Sequence, residues 1–240
     1  MIWDLKLNHQ YNYYNMHGIL LFIVLPYLAL TSVLFGSIYR YHFHGFQVTS
    51  LSSQFLESKQ LFFGSRPFHW GLLLVFFGHM TAFLVPRAVL AWNEIPLRLY
   101  ILEITAFSFA LISFTGLIFL ILRRAKGSRL KAVTTVMDII VYLILLVQLI
   151  SGLWIAYFFR WGSSWFAMVL TPYLRSVFTL SPDISSVTTL PAMVKIHIIS
   201  AYVMIGMIPY TRLMHFLVYP FAYLWRPKQL VYWNSKKELK

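Results

Sequence analysis

The chain has 240 residues, of which 59% are hydrophobic, 18% aromatic and only 11% charged. Soluble domains average about 25% charged residues, so this composition indicates an integral membrane protein without a separate soluble domain. The chain contains no cysteine, which excludes disulfides, Cys-ligated iron–sulfur clusters and covalent cofactor attachment through C-x-x-C-H. The net charge of +13 does not indicate nucleic-acid binding, because the basic residues lie between apolar segments, where they set membrane orientation.

Five apolar segments are long enough to cross a bilayer as helices, which takes about 20 residues each. These spans cover approximately residues 17–39, 64–86, 99–122, 135–159 and 191–219. Residues 1–16 form a polar and aromatic N-terminal extension, residues 17–225 one membrane domain, and residues 226–240 a basic tail. The predicted fold is therefore an all-α integral membrane protein with five transmembrane helices.

Three connecting segments carry local predictions. Residues 50–57 have the pattern of a short amphipathic helix. Thr135 and Asp138 match a capping box at the start of the fourth span, so a helix-start role for Asp138 is favoured over a proton relay. The first half of residues 160–190 is aromatic, with Tyr173 among its aromatic residues, and is predicted to lie in the membrane interface.

The orientation of the spans follows from the distribution of lysine and arginine. Basic residues concentrate in the loop before the second span, in the loop after the third and in the tail. The positive-inside rule then puts the N-terminus outside and the C-terminus in the cytoplasm.

Four histidines lie within two of these spans. His69 and His79 are ten residues apart on the second span, or ~15 Å along a helix and roughly 80° around it. His197 and His215 are eighteen residues apart on the fifth, which is about five turns, so both are predicted to share one face. Ionisable groups inside a membrane are costly and indicate a functional site.

The two spans run in opposite directions, so His69 is predicted to lie near His215 at the cytoplasmic surface and His79 near His197 at the outer surface. Two histidine pairs at two depths are what two bis-histidine haems require, and we predict that these residues bind two b haems. Pro209 is expected to kink the fifth span and reduce the mismatch between the two spacings. Four separately hydrogen-bonded histidines remain an alternative, and a dinuclear metal site is disfavoured because carboxylates are scarce in the spans.

Small and basic residues accompany the histidines. Gly64, Gly71 and Gly78 recur every seven residues, a pattern that permits close approach of either a neighbouring helix or a flat macrocycle. Arg66 and Arg212 each precede a histidine by three residues, which suits contacts to haem propionates at the inner site. Arginines that simply anchor a span at the cytoplasmic surface are an equal alternative.

Several stretches of the sequence resemble one known family. They are YRY at 39–41, SSQFLE at 52–57, GS-x-x-FHWG at 64–71, GH at 78–79, YLRSVFTLSPD at 173–183, KIH at 195–197 and PYTRLMH at 209–215. From the first span to Trp225, the chain resembles the cytochrome b (gamma) subunit of respiratory nitrate reductase.

The resemblance implies a membrane subunit in the cell membrane of a prokaryote. It implies quinol oxidation near an outer haem held by His79 and His197, with electrons passing to an inner haem held by His69 and His215. The acceptors would be an iron–sulfur beta subunit and a molybdenum-containing alpha subunit that reduces nitrate. Gly78 matches the family pattern, and Arg98 is the nearest candidate for a basic quinol contact.

Two other readings stay open at this point. One is the cytochrome b subunit of a related complex, such as a nitrite oxidoreductase or a sulfur-metabolism complex, because the partner subunit holds the terminal substrate. The other is a transporter or membrane scaffold that binds no haem.

Overall fold

The computed structural model describes residues 16–44 and 59–217, and every regular element in these ranges is helical. Five helices there are long and apolar enough to span a membrane: Met16–Phe43, Phe62–Leu84, Pro96–Lys126, Val136–Phe158 and Ala192–Tyr210. The predicted fold class is thereby confirmed. The predictions for residues 50–57, the tail at 226–240 and nearly all of the N-terminal extension lie outside the described residues.

The bundle has two ends. The first and third spans end at one of them, where the second and fourth spans begin. We call it the basic end, because the last turn of the third span carries Arg123, Arg124 and Lys126 there. These cations suit the negative end of the helix dipole. The second span ends and the third begins at the opposite end, where a short helix, Pro86–Asn93, connects them.

The fourth span begins with the predicted capping box. Thr135 Oγ1 accepts a hydrogen bond from the backbone N–H of Asp138 at 3.2 Å, and Asp138 Oδ2 accepts one from the Thr135 N–H at 3.0 Å. Two N–H groups that the helix cannot pair are thereby satisfied.

The second and third spans pack closely because glycines remove side chains from their interface. A Cβ on Gly71 would lie 2.5 Å from the Phe109 carbonyl oxygen, and one on Gly116 would lie 2.4 Å from the Phe68 nitrogen. Gly64 faces Leu120 in the same way. Two of the three glycines of the second span therefore serve helix packing, whereas a Cβ on Gly78 would meet nothing within 4 Å.

The fifth span is interrupted before it reaches His215. Its α-helix, Ala192–Met207, is followed by a 3₁₀ turn at Ile208–Tyr210, an extended residue at Thr211 and a second 3₁₀ turn at Arg212–Met214. Proline has no N–H to donate and its ring clashes with the preceding turn. The prediction of one kinked helix with His197 and His215 on the same face is therefore wrong.

The first span supplies hydrogen-bond donors to this interruption. Arg40 Nη1 donates to the carbonyls of Pro209 at 2.5 Å and Thr211 at 3.1 Å, and Ser32 Oγ donates to the carbonyl of Gly206 at 2.7 Å. A Cβ on Gly36 would lie 2.9 Å from Pro209 Cγ, so a glycine at this position is needed for the first span to pack this closely against Pro209. Irregular backbone at membrane depth requires such partners.

The segment after the fourth span folds into the bundle. It forms the short helices Gly162–Trp165 and Thr171–Phe178, joined by a π-helical turn. Tyr173 is 1% exposed and its hydroxyl donates to the carbonyl of Phe22 at 2.9 Å. The prediction of an interfacial Tyr173 is therefore wrong, because its ring packs between spans.

The same segment caps the C-terminus of the second span with side-chain hydrogen bonds. Thr171 Oγ1 donates to the carbonyl of Ala82 at 3.3 Å, and Arg175 Nη2 donates to those of Phe83 and Leu84 at 3.1 Å each. These side chains satisfy carbonyls that the helix leaves unpaired at its C-terminus.

Gly116→Ala should destabilise the protein by roughly 1–3 kcal/mol, because the added Cβ collides with backbone of the second span and forces the two helices apart. The measurement is the thermal unfolding midpoint of the purified protein in detergent. Gly78→Ala is the matched control and should leave the midpoint unchanged or slightly raised, since alanine favours helix and meets no neighbour. Equal midpoints for the two variants would contradict the packing role of Gly116.

Candidate functional site

The four histidines form two pairs, one towards each end of the bundle. The ring centres of His69 and His215 lie 6.3 Å apart with an angle of 70° between the ring planes. Those of His79 and His197 lie 6.4 Å apart with an angle of 35°. The structure thus brings together the same two pairs that the sequence predicts.

The break in the fifth span removes the mismatch of spacings. A continuous helix would separate His197 from His215 by ~27 Å, against ~15 Å between the histidines of the second span. Because the helix ends at Met207 and the chain turns twice before His215, both pairs can form.

Three of the histidines have Nδ1 close to a backbone carbonyl, which leaves Nε2 as the nitrogen that can bind a metal. Their Nδ1 atoms lie 2.7 Å from the carbonyl of Ser65 for His69, 2.8 Å from that of Val75 for His79 and 2.5 Å from that of Arg212 for His215. A carbonyl oxygen can only accept, so Nδ1 carries the hydrogen and Nε2 keeps its lone pair. Metal-binding histidines are usually oriented in this way.

His197 is held by the fourth span. Its Nδ1 lies 2.9 Å from Ser151 Oγ, and its Nε2 lies 3.1 Å from Gln148 Nε2. Ser151 Oγ donates to the carbonyl of Val147 at 2.6 Å, which leaves its oxygen to accept from Nδ1. Gly152 permits the approach, since a Cβ there would lie 3.0 Å from His197 Cε1.

The pair separations fit a single metal atom between the rings. A metal–imidazole bond of about 2.0 Å on each side, plus about 1.1 Å from nitrogen to ring centre, gives roughly 6.2 Å between ring centres. Both pairs lie within a few tenths of an ångström of this value. At His197 the amide of Gln148 must leave Nε2 for a metal to bind, because the nitrogen has one lone pair.

The surroundings of the pairs favour a cofactor over a bare ion. Within residues 16–44 and 59–217, no group of three or more His, Cys, Asp or Glu could hold a metal ion. Each histidine pair would therefore supply only two ligands, as in a haem whose macrocycle provides the other four. His69 and His79 are exposed on the second span, and the open position at Gly78 leaves room beside His79.

Each of the three candidate arginines has a contact of its own. The Arg66 guanidinium stacks on the ring of Phe62, 4.2 Å from its centre. Arg98 is exposed at the start of the third span, 5.1 Å from the ring centre of Trp92. Arg212 Nε lies 3.1 Å from Asp138 Oδ1, so its predicted propionate contact would share the guanidinium with a carboxylate.

A family comparison agrees with these observations. The sequence profile described as "Nitrate reductase gamma subunit" matches residues 18–234. The chain belongs to this family. The nitrate reductase gamma chain of Bacillus subtilis (strain 168) is 36% identical over 215 residues, which cover 88% of this chain and 96% of that protein.

Two further relatives show the same relationship. The respiratory nitrate reductase 2 gamma chain of Escherichia coli (strain K12) is 28% identical over 211 residues, covering 87% of this chain and 93% of that protein. The nitrate reductase-like protein NarX of Mycobacterium tuberculosis (strain ATCC 25618 / H37Rv) is 31% identical over 240 residues, covering 94% of this chain and 35% of that protein. The chain is thus a multi-pass membrane subunit of the nitrate reductase type.

Sequence reasoning missed several residues around the histidines of this gamma subunit. Asp138 bonds two arginines besides capping its helix: Arg124 Nη1 lies 2.9 Å from Oδ2, and Arg212 Nε is the second. Gln148 and Ser151 are polar residues three apart in an otherwise apolar span, which was the available signal for the contacts to His197. Nothing local in the sequence links Arg40 to Pro209.

Two variants separate the roles of the capping box in the gamma subunit. Thr135→Ala should cost about 1 kcal/mol of stability, because it removes one capping hydrogen bond. Asp138→Ala should cost roughly 3 kcal/mol or more, because it also leaves the largely buried Arg124 without its carboxylate. Thermal unfolding in detergent measures both, and equal losses would show that the two ion pairs contribute nothing.

Proposed function

We propose that this chain is the di-haem cytochrome b subunit that oxidises quinol for a respiratory nitrate reductase. The observation that carries the proposal is the presence of two histidine pairs, with ring centres 6.3 and 6.4 Å apart, at opposite ends of a five-helix bundle. Membership of the gamma subunit family supports it.

The residues divide between two cofactors. His79 and His197 would hold one haem b towards the opposite end, and His69 and His215 would hold the other towards the basic end. When bound, each haem would accept and release one electron at its own depth in the membrane. Nδ1 hydrogen bonds keep the rings oriented, and Arg66 and Arg212 would supply cations to propionates of the haem at the basic end.

The direction of transfer rests on the proposed orientation. The positive-inside rule puts the basic end in the cytoplasm and the N-terminus outside. The His79–His197 pair then lies towards the outer face of a prokaryotic cell membrane, and the His69–His215 pair towards the cytoplasm. There an iron–sulfur beta subunit would receive the electrons and pass them to a molybdenum-containing alpha subunit.

Quinol would bind beside His79, where Gly78 leaves open space and Arg98 is the candidate basic contact. Oxidation of one quinol gives a quinone, two protons and two electrons. Release of the protons outside and movement of the electrons inward separates charge across the membrane. Each electron moved against the potential stores ~2.3 kcal/mol per 100 mV.

Replacing single histidines tests the pairing. In the assembled complex, His79→Ala and His197→Ala should each remove the same haem, and His69→Ala and His215→Ala the other, because a haem with one protein ligand is held weakly. The measurements are the haem-to-protein ratio, expected to be two in the unaltered complex, and the dithionite-reduced spectrum. His42→Ala, at an exposed histidine of the first span, is the control and should keep both haems.

A purified complex whose gamma subunit has no b-type absorbance would reject the haem proposal. Loss of both haems from each of the four single variants would reject the pairing.

Filling the space at Gly78 tests the quinol site. Gly78→Leu should lower quinol-driven haem reduction on the order of tenfold or more, because the added side chain displaces a substrate that must approach closely. Dithionite should still reduce both haems. Stopped-flow spectra with a soluble quinol analogue supply the rates.

Thr115→Leu is the matched control, since it adds apolar bulk at an exposed position of the third span. An unchanged quinol-driven rate in Gly78→Leu would place the quinol site elsewhere while leaving the haem assignment intact.

A further inference from the structure

The inner histidine pair depends on a segment without regular helix. His215 lies eight residues beyond Met207, where the α-helix of the fifth span ends, and follows two 3₁₀ turns separated by an extended Thr211. His69, His79 and His197 all lie within continuous α-helices. The position of the His215 ring must therefore be fixed by contacts from other parts of the chain.

One contact comes from the first span. Arg40 Nη1 donates to the carbonyl of Pro209, in the first 3₁₀ turn, and to that of Thr211, the extended residue. Arg40 is 169 residues from Pro209 along the chain, so this contact ties the break to a different helix. Nη1 carries two hydrogens, so this one nitrogen can donate to both carbonyls at once, and the planar guanidinium fixes the direction of both bonds.

A second contact comes from the fourth span. Asp138 Oδ1 lies 3.1 Å from Arg212 Nε, and the carbonyl of Arg212 lies 2.5 Å from His215 Nδ1. Asp138 is fixed in turn by its capping box and by Arg124 at 2.9 Å. A continuous series of contacts therefore runs from the third and fourth spans to the His215 ring.

We infer that Arg40 and Asp138 are positioning residues for His215 and so for the inner haem. Arg40 fixes the backbone where the helix is interrupted, by donating hydrogen bonds to its carbonyls. Asp138 fixes the second 3₁₀ turn through its ion pair with Arg212. The inference rests on the proposed function. The outer pair is independent of both residues, because His197 is oriented by Ser151 and Gln148 and His79 by its own helix.

Asp138 also contributes a negative charge to the inner site. A nearby anion favours the oxidised form of a haem, which carries one more positive charge than the reduced form. Removal of that charge should therefore raise the midpoint potential of the inner haem, with the outer haem unaffected.

The first test is Asp138→Asn in the assembled complex, followed by spectropotentiometric titration. The midpoint potential of the inner haem should rise by about 59 mV, which for one electron is a fall on the order of tenfold in its oxidised-to-reduced ratio at a fixed potential. Asp138→Glu retains the charge and should return the potential towards that of the unaltered protein. Glu94→Gln is the matched control, since it removes an exposed carboxylate at the other end of the bundle and should shift neither haem.

The second test is Arg40→Lys, which keeps the charge but replaces the rigid planar guanidinium by an ammonium on a flexible stem, so that the two donor directions are no longer fixed. It should alter the low-spin electron paramagnetic resonance signal of the inner haem, or lower its occupancy, while the outer haem keeps its signal. Arg87→Lys, at an exposed arginine of the opposite end, is the control.

The outcomes separate the two proposals. An unaltered complex without b haems would reject the proposed function itself. Two haems in the unaltered complex, with an inner potential and resonance signal unchanged in both Asp138→Asn and Arg40→Lys, would overturn the positioning roles alone. Equal disturbance of both haems in both variants would also overturn them, because it would indicate a general loss of fold.

Discussion

The contact between Arg40 and the interrupted fifth span is the interaction on which the pairing of His69 with His215 depends. Inside a membrane, backbone carbonyls released by a helix break have no water to bind, and each must find a donor within the protein. Arg40 and Ser32 supply those donors from the first span. With the carbonyls satisfied, the fifth span can end its helix early and bring His215 back to the depth of His69.

The spans and the histidine pairs could be predicted because both depend on local pattern. Hydropathy over about 20 residues finds a span, and antiparallel order then assigns each histidine to a depth. Pro209 predicts an irregularity in the fifth helix, but the sequence does not indicate whether the helix bends or ends there. That choice depends on Arg40 and Gly36, which contact the break from the first span and are remote in sequence.

Other features could not be predicted from the sequence, because the same residue type can have several structural roles. Gly64, Gly71 and Gly78 form one pattern in the sequence, yet two of them face the third span and the third faces open space. Asp138 was identified as a helix cap, which it is, but its ion pairs with Arg124 and Arg212 arise only when three spans meet. Only the folded chain separates these roles.

The difference between a continuous second span and a broken fifth span has a consequence for how the sequence can diverge. One residue inserted between His69 and His79 would rotate one histidine about 100° relative to the other. Between Met207 and His215, short turns and an extended residue can absorb a change of length. The spacing of the first two histidines is thus under strict geometric constraint, while that of the last two has room to vary.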